Sequence, residues 1–321
     1  MKTSVALCTY NGANYISQQL DSIANQTMVV DEIVVCDDGS TDDTINKVEA
    51  FKTAHPSIDV GIEINKQKLG VCANFDKTIH QCTGDIIFLS DQDDIWLENK
   101  VETVLDWFET HPQMSVVLTN GYFINSQGES FADKKTFDAV GFNEEGLKYF
   151  NMGFALEMFL LINRATGAAM AFRKSFIPEF KIVANAKPGD NSPLHDEIIA
   201  LTAVAKGVLG LIEEPLFKYR IHSSQQVGLL GGIEKNPDTS RGIEPVMPKP
   251  SIIEYDVIPA DVKDRALFGE KRFNYRDSFL SYKVLTHAQE YMRVYQKLWF
   301  KALSWDILVA NYRKVKSVFK R

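Results

Sequence analysis

Cysteine is scarce and unpatterned in this 321-residue chain: Cys8, Cys36, Cys72 and Cys82 form no CxxC pair and no zinc spacing. A disulfide framework and a zinc ribbon are therefore excluded, and the apolar runs around several of these thiols mark them as small hydrophobes of a reducing compartment. Neither GxGxxG nor GxxxxGK[ST] occurs, so the dinucleotide and P-loop fingerprints are missing too. No apolar run reaches the roughly 18 residues that span a bilayer. Met1-Lys2-Thr3-Ser4 leads straight into a strand-like run with no signal-peptide core. The expected location is the cytoplasm or the inner face of a membrane. There is no internal repeat and no low-complexity tract.

What is present is ordinary in bulk, at 45% hydrophobic and 24% charged, which is the composition of soluble globular domains. The net charge of −7 is unevenly spread: residues 271–321 hold twelve Lys/Arg against three Asp/Glu. The acidic body argues against nucleic acid as a partner, whereas the basic tail suits anionic lipid or forms a solvated helical face.

Strand-like runs alternate with helical periodicity over the first two thirds of the chain. Val5–Cys8, Glu32–Cys36, Val60–Ile64 and Asp85–Leu89 read as strands. Helices follow the first three, at Tyr15–Ile23, at Ile45–Phe51 with Ser40 or Thr41 as cap, and at Asn74–Gln81. Further on, Val116–Thr119, Thr166–Phe172 and Leu209–Ile212 are expected strands, and Gly153–Asn163 and Asp196–Lys206 expected helices. This alternation predicts an α/β fold with a mixed, mainly parallel sheet flanked by helices, and ligands bound beyond the carboxyl ends of the strands. The expected units are a nucleotide-binding domain over 1–228, a linker or acceptor-side loop over 229–263, and a basic helical extension over 264–321.

The acidic clusters fall at that sheet edge. Asp91-Gln92-Asp93-Asp94 follows a buried strand directly, and three carboxylates in four positions repel one another unless a cation neutralises them. Oxygen ligands of this kind suit Mg²⁺ or Mn²⁺, which leave coordination positions open for phosphate. A solvated turn capping a helix that begins near Trp96 is the alternative. Asp37-Asp38-Gly39-Ser40 ends a second strand, where a carboxylate can accept from the imide N–H of uracil or thymine, or simply cap a turn.

Thr9-Tyr10-Asn11, Asp37-Asp38-Gly39-Ser40-Thr41-Asp42, Asn65 with Leu69-Gly70, and Ser90-Asp91-Gln92-Asp93-Asp94-Ile95-Trp96 together resemble the family-2 glycosyltransferases of GT-A fold, over roughly residues 1–225. With Thr166-Gly167, Leu194-His195-Asp196 and Tyr219-Arg220-Ile221-His222 the chain is similar to bacterial rhamnosyltransferases of surface-polysaccharide synthesis. The resemblance implies an inverting transfer of a sugar, with L-rhamnose from dTDP-rhamnose as the first candidate, from a dTDP- or UDP-sugar to a glycan. It places Thr9 and Tyr10, with Asn11 from the same motif, at the nucleobase, Asp38 on the base imide and Asp91 near the ribose and metal. Asp93 would coordinate Mn²⁺ or Mg²⁺, and His222 would close over the metal or diphosphate. Asp196, at the start of a helix, takes the position of the general base; His195 and Glu197 beside it are weaker choices. Gly167 would let backbone approach the sugar, Trp96 would pack beneath the acidic turn, and Lys100 would orient a carboxylate there. A nucleotidyltransferase is the rival enzyme class, but Thr9-Tyr10-Asn11-Gly12 lacks the basic residue of its phosphate loop; a non-catalytic sugar-nucleotide-binding scaffold is the third reading.

In the tail, Tyr295, Leu298, Trp299, Phe300, Leu303 and Trp305 interleave with Arg293, Lys297 and Lys301. Such helices lie in a lipid interface or pack on protein. A polyprenyl-diphosphate-linked acceptor at the membrane is the expectation that fits the first case.

Overall fold

A computed structural model of the chain describes residues 1–161, 163–184, 193–223 and 225. The expected linker over 229–263 and the basic helical extension over 264–321 lie outside the described residues. Among the described residues no helix is long and apolar enough to cross a membrane.

The chain begins with three βα units: β1 (Thr3–Thr9), α1 (Ile16–Ala24), β2 (Glu32–Asp37), α2 (Thr44–Ala54), β3 (Asp59–Ile64) and α3 (Val71–Gln81). Then come β4 (Ile86–Ser90), a two-residue β5 (Ile95–Trp96), α4 (Lys100–Thr110), β6 (Val116–Ile124) and β7 (Ser130–Lys135). Three short helices, α5 (Thr136–Ala139), α6 (Glu144–Tyr149) and α7 (Ala155–Leu161), lead to β8 (Met170–Arg173), α8 (His195–Lys206) and the long β9 (Leu209–Arg220).

The strands form one sheet in the order β3-β2-β1-β4-β8-β6-β9-β5, with β7 added on β6. The first four are parallel, β8 is antiparallel to both its neighbours, and β6 and β9 run parallel. Successive strand side chains point to opposite faces, so each inner strand feeds two cores. Val5, Leu7, Ile86 and Phe88 pack with α1, α2 and α4 on one side. Ala6, Ile87 and Leu89 pack with α3, α7 and α8 on the other. The amphipathic stripe of α1, Ile16, Leu20 and Ile23, is fully buried. α8 is buried along nearly its whole length and stops at Gly207, whose φ of 70° closes the helix in the left-handed region.

Four local expectations change. Thr166–Phe172 is not a continuous strand: Gly167–Ala169 makes one tight 3₁₀ turn before β8. The carbonyls of Ala168 and Ala169 accept from Lys100 Nζ and Thr119 Oγ1 instead of joining a ladder. No helix starts at Trp96; Ile95 and Trp96 pair antiparallel with Lys218 and Phe217, and α4 begins at Lys100. Neither Ser40 nor Thr41 caps α2, because the Ser40 hydroxyl donates to Asp37 and the helix begins beyond Asp43. The helix expected from Gly153 starts at Ala155, since Gly153 has φ 89° and interrupts the preceding turn.

Candidate active site

The parallel strands β2, β1 and β4 end side by side, at Asp37, Thr9 and Ser90, and the polar segments that follow them form one rim. Asp37 and Asp38 do different work there. Asp37 is wholly buried, and its carboxylate accepts from the Gly39 and Ser40 amides and from the hydroxyls of Thr9 and Ser40. Thr9, at 2% exposure, thus ties β1 to β2 through its hydroxyl. Asp38 accepts from the Leu69 amide at 2.6 Å, the Gly70 amide at 2.9 Å and Asn65 Nδ2 at 3.0 Å. A carboxylate offers about four lone-pair positions, so one remains for a ligand. Asn11, at φ 49°, accepts from the Thr41 amide through Oδ1. Tyr10 is half-buried, with Lys68 Nζ 3.4 Å from its ring centroid.

Beyond β4 the acidic turn is pinned from both sides. Gln92 forms a two-way amide pair with the Tyr10 backbone, accepting its N–H at 2.9 Å and donating to its carbonyl at 3.1 Å. Gly12 has to be a glycine for this, because a Cβ there would overlap the Gln92 amide. On the other side stands Arg220 at the end of β9, with no exposed surface. Its Nε donates to the Asp93 carbonyl at 2.6 Å, Nη1 to the Asn125 and Ser126 carbonyls, and Nη2 to Gln18, while its backbone N–H donates to Asp94 Oδ1 at 2.8 Å. Gln225 donates to the Arg220 carbonyl and so holds the turn after β9. Replacing Arg220 with Met strips the Asp93, Asn125, Ser126 and Gln18 oxygens of their guanidinium donor, and removing one partner of a buried charged network typically costs about 3–5 kcal/mol. A matching fall in the urea midpoint is the expected result.

The charges inside the turn are unbalanced. Burial, then Asp93 and Asp196, pushes the half-buried Asp91 up to about 8, and Lys100 opposes the rise. Asp94 goes up strongly for the same first reason, with Asp93 and Asp91 adding to it. Its Oδ2 is buried without a hydrogen-bond partner. Lys100 is fully buried beneath, donates to the Ala168 carbonyl and lies 4.4 Å from the Trp96 ring centroid. Burial draws its ammonium down to about 7 against the pull of Asp94 and Asp91. Lys100 therefore joins the acidic turn to the Gly167 turn, and Trp96 is the packed support the sequence suggested.

Above them His222 Nε2 lies 2.8 Å from Asp93 Oδ2, and the His222 ring packs on Tyr15 at 4.6 Å. These donors fit a divalent cation. An imidazole nitrogen and a carboxylate oxygen this close could both ligate one ion, and a cation would compensate Asp91 and the unpaired Asp94 oxygen. Among the described residues no three His, Cys, Asp or Glu side chains gather into a ready-made cage. An ion here would keep few protein ligands and take phosphate oxygens and water for the rest, as Mg²⁺ commonly does.

Across the cleft Asp196 opens α8 at 8% exposure, accepting the Glu197 amide at 2.8 Å. Burial raises its carboxyl to about 6, while N–H groups of Glu197 and Gly167 hold it down. Gly167 sits between the two acidic sides: a Cβ on it would lie 3.2 Å from His195 Nε2 and 3.7 Å from Asp91 Oδ2. Asp91 of the acidic turn and Asp196 thus lie close together on either side of Gly167. The roles of Arg220, Gln92 and Lys68 were not evident from sequence. The signal for Arg220 was indirect, since a crowded acidic turn needs a buried cation nearby and Arg220 stands inside a quoted motif.

The model of glycosyl transferase family 2 matches residues 4–179. Over 231 residues, 69% of this chain and 73% of the other, the chain is 29% identical to the dTDP-rhamnosyl transferase RfbG of Shigella flexneri. It is 27% identical to an uncharacterized glycosyltransferase of Haemophilus influenzae, covering 69% of this chain and 66% of that one. The crystal structure of S. aureus TarS 1-349 in complex with UDP-GlcNAc superposes with a TM-score of 0.51 at 16% identity, over 70% of this chain and 60% of that chain. That likeness bears on the fold, which is GT-A. With a family match across more than half its length, the chain belongs to glycosyl transferase family 2 and is a glycosyltransferase.

Proposed function

We propose that this glycosyltransferase moves a sugar, with L-rhamnose from dTDP-rhamnose as the first candidate, onto a glycan hydroxyl with inversion at the anomeric carbon. The observation that supports this reading is the closeness of the pinned acidic turn to Asp196 on either side of Gly167. The similarity to the Shigella rhamnosyl transferase supports the choice of donor. Tyr10 and Asn11 would border the nucleobase, and the remaining lone pair of Asp38 would meet its imide N–H. Asp93 and His222, with Asp91 and Asp94 beside them, would hold Mn²⁺ or Mg²⁺, whose chemistry is to neutralise charge on the departing diphosphate.

The acceptor hydroxyl would give its proton to Asp196 as its oxygen attacks the anomeric carbon. The bond from that carbon to the diphosphate oxygen breaks on the opposite side, and the diphosphate leaves with the electron pair. Burial suits Asp196 to this work, because a base whose pKa lies near the working pH combines availability with driving force. The acceptor would be a growing glycan, carried on a polyprenyl diphosphate, with the basic tail touching the membrane.

A thermal-shift screen of dTDP- and UDP-sugars with and without Mn²⁺ tests this reading, since a ligand that favours the folded state raises its apparent stability. The expected outcome is a rise in Tm that needs sugar nucleotide and metal together. Equal shifts with and without metal for every donor would count against it.

A further inference from the structure

His195 is 5% exposed and lies flat on Phe75, with ring centroids 3.9 Å apart and planes 14° from parallel. The stacking fixes the plane of the ring, yet neither Nδ1 nor Nε2 has a hydrogen-bond partner. Burial pulls the imidazole down to about 3, so the ring is neutral, with one donor nitrogen and one acceptor nitrogen unmet. Leaving such groups unpaired in the interior is costly, and an apolar ring of similar shape would avoid the cost. A residue kept against its own stability needs another reason to be there.

Its position supplies one. Nε2 is the first atom that a side chain on Gly167 would meet, at 3.2 Å, and Asp91 Oδ2 is next at 3.7 Å. The strand order β2-β1-β4-β8 sets the nucleobase residues of the β1 and β2 ends on one side of the acidic turn, and the Gly167 turn before β8 on the other. A sugar whose diphosphate rests on the acidic turn and whose anomeric carbon faces Asp196 must therefore lie over Gly167, beside the His195 edge. A hydroxyl both donates and accepts, which is what an unpaired neutral imidazole lacks.

We propose that His195 is a specificity residue that hydrogen-bonds a hydroxyl of the transferred sugar through Nε2, beside Gly167. This rests on the transferase reading above. Both nitrogens are closed off from water in the protein alone, so the pairing requires the Gly167 turn and the ring edge to part as the sugar binds. Bound this way, the sugar is read by a neutral group that does not compete with Asp196 for the acceptor's proton.

The test is calorimetric titration, in Mn²⁺, of dTDP, UDP, dTDP-rhamnose, UDP-glucose and UDP-GlcNAc into wild type and the variants His195→Phe, His195→Gln and His195→Asn. Phe keeps the stacking and removes the unpaired nitrogens; Gln carries an amide nitrogen near the place of Nε2, and Asn near that of Nδ1. His195→Phe should bind the bare diphosphate within about twofold of wild type and the preferred sugar nucleotide about tenfold more weakly, the worth of one lost hydrogen bond. Its Tm should equal or exceed that of wild type, and Gln should restore sugar affinity better than Asn. An unchanged preference for the sugar nucleotide in His195→Phe, an equal loss for diphosphate and sugar nucleotide, or a Gln variant no better than Asn would overturn the role given to His195. Wild type that binds none of the sugar nucleotides would overturn the transferase reading itself, and this inference with it.

Discussion

Asp196→Asn should bind donor and metal as wild type does and transfer sugar about 10²–10⁴ times more slowly, the span that a positioned general base contributes. Asparagine matches the carboxylate in size and still accepts the Glu197 amide, so the start of α8 keeps its shape while the group proposed to take the proton is gone. The pH dependence follows from the same carboxyl. Burial places it near 6, and a base works only when unprotonated, so turnover in saturating metal should fall as pH drops through about 6 and level off above it. The residual rate of the Asn variant should be flat across this range. A limb that survives in Asp196→Asn would belong to another group.

The second large effect lies on the other side of the cleft. Asp93→Asn should abolish the metal-dependent part of donor binding and cut transfer by about 10²–10³ or more, as removing one well-placed electrostatic partner of a developing charge does. It should nonetheless fold. Asp93 is the largest charge cause, after burial, of the raised carboxyls of both Asp91 and Asp94, so neutralising it relieves repulsion at each. The Asn side chain can still meet His222. A Tm at or above that of wild type, together with a lost donor response in Mn²⁺, would separate a ligand from a packing residue. A variant that responds to sugar nucleotide and Mn²⁺ as wild type does would remove Asp93 from the metal site.

Much of this layout was legible in the sequence, for identifiable reasons. Strand ends at Asp37 and Ser90 showed as breaks from apolar runs into acidic turns, and the hydrophobic face of α1 showed as a helical period. Periodicity reports which face is buried, and β1, β2, β4 and α8 were found that way. It does not report what a polar group pairs with. Asp37 and Asp38 are adjacent and alike, yet Asp37 caps its own turn while Asp38 anchors Leu69 and Gly70, thirty residues on. Thr9 is expected at the nucleobase because it opens the motif Thr9-Tyr10-Asn11; only the register that sets Thr9 against Asp37 shows that its hydroxyl donates to that carboxylate. The run Thr166–Phe172 read as a strand because small apolar residues suit one, whereas Lys100 and Thr119 claim two of its carbonyls from distant elements. The task of Arg220 was not legible, since the five groups it donates to are scattered along the chain from Gln18 to Ser126. Such roles are tertiary, and local pattern carries no trace of them.

The most direct measurement is the anomeric configuration of the product, read by proton NMR immediately after a single turnover on a donor of known configuration. If Asp196 is the one base on the acceptor side and the Asp91–Asp94 turn holds the diphosphate, as proposed, a single displacement has to give the inverted anomer. A product that keeps the donor's configuration would require a different path through the cleft, and would contradict the division of labour between Asp196 and the Asp91–Asp94 turn.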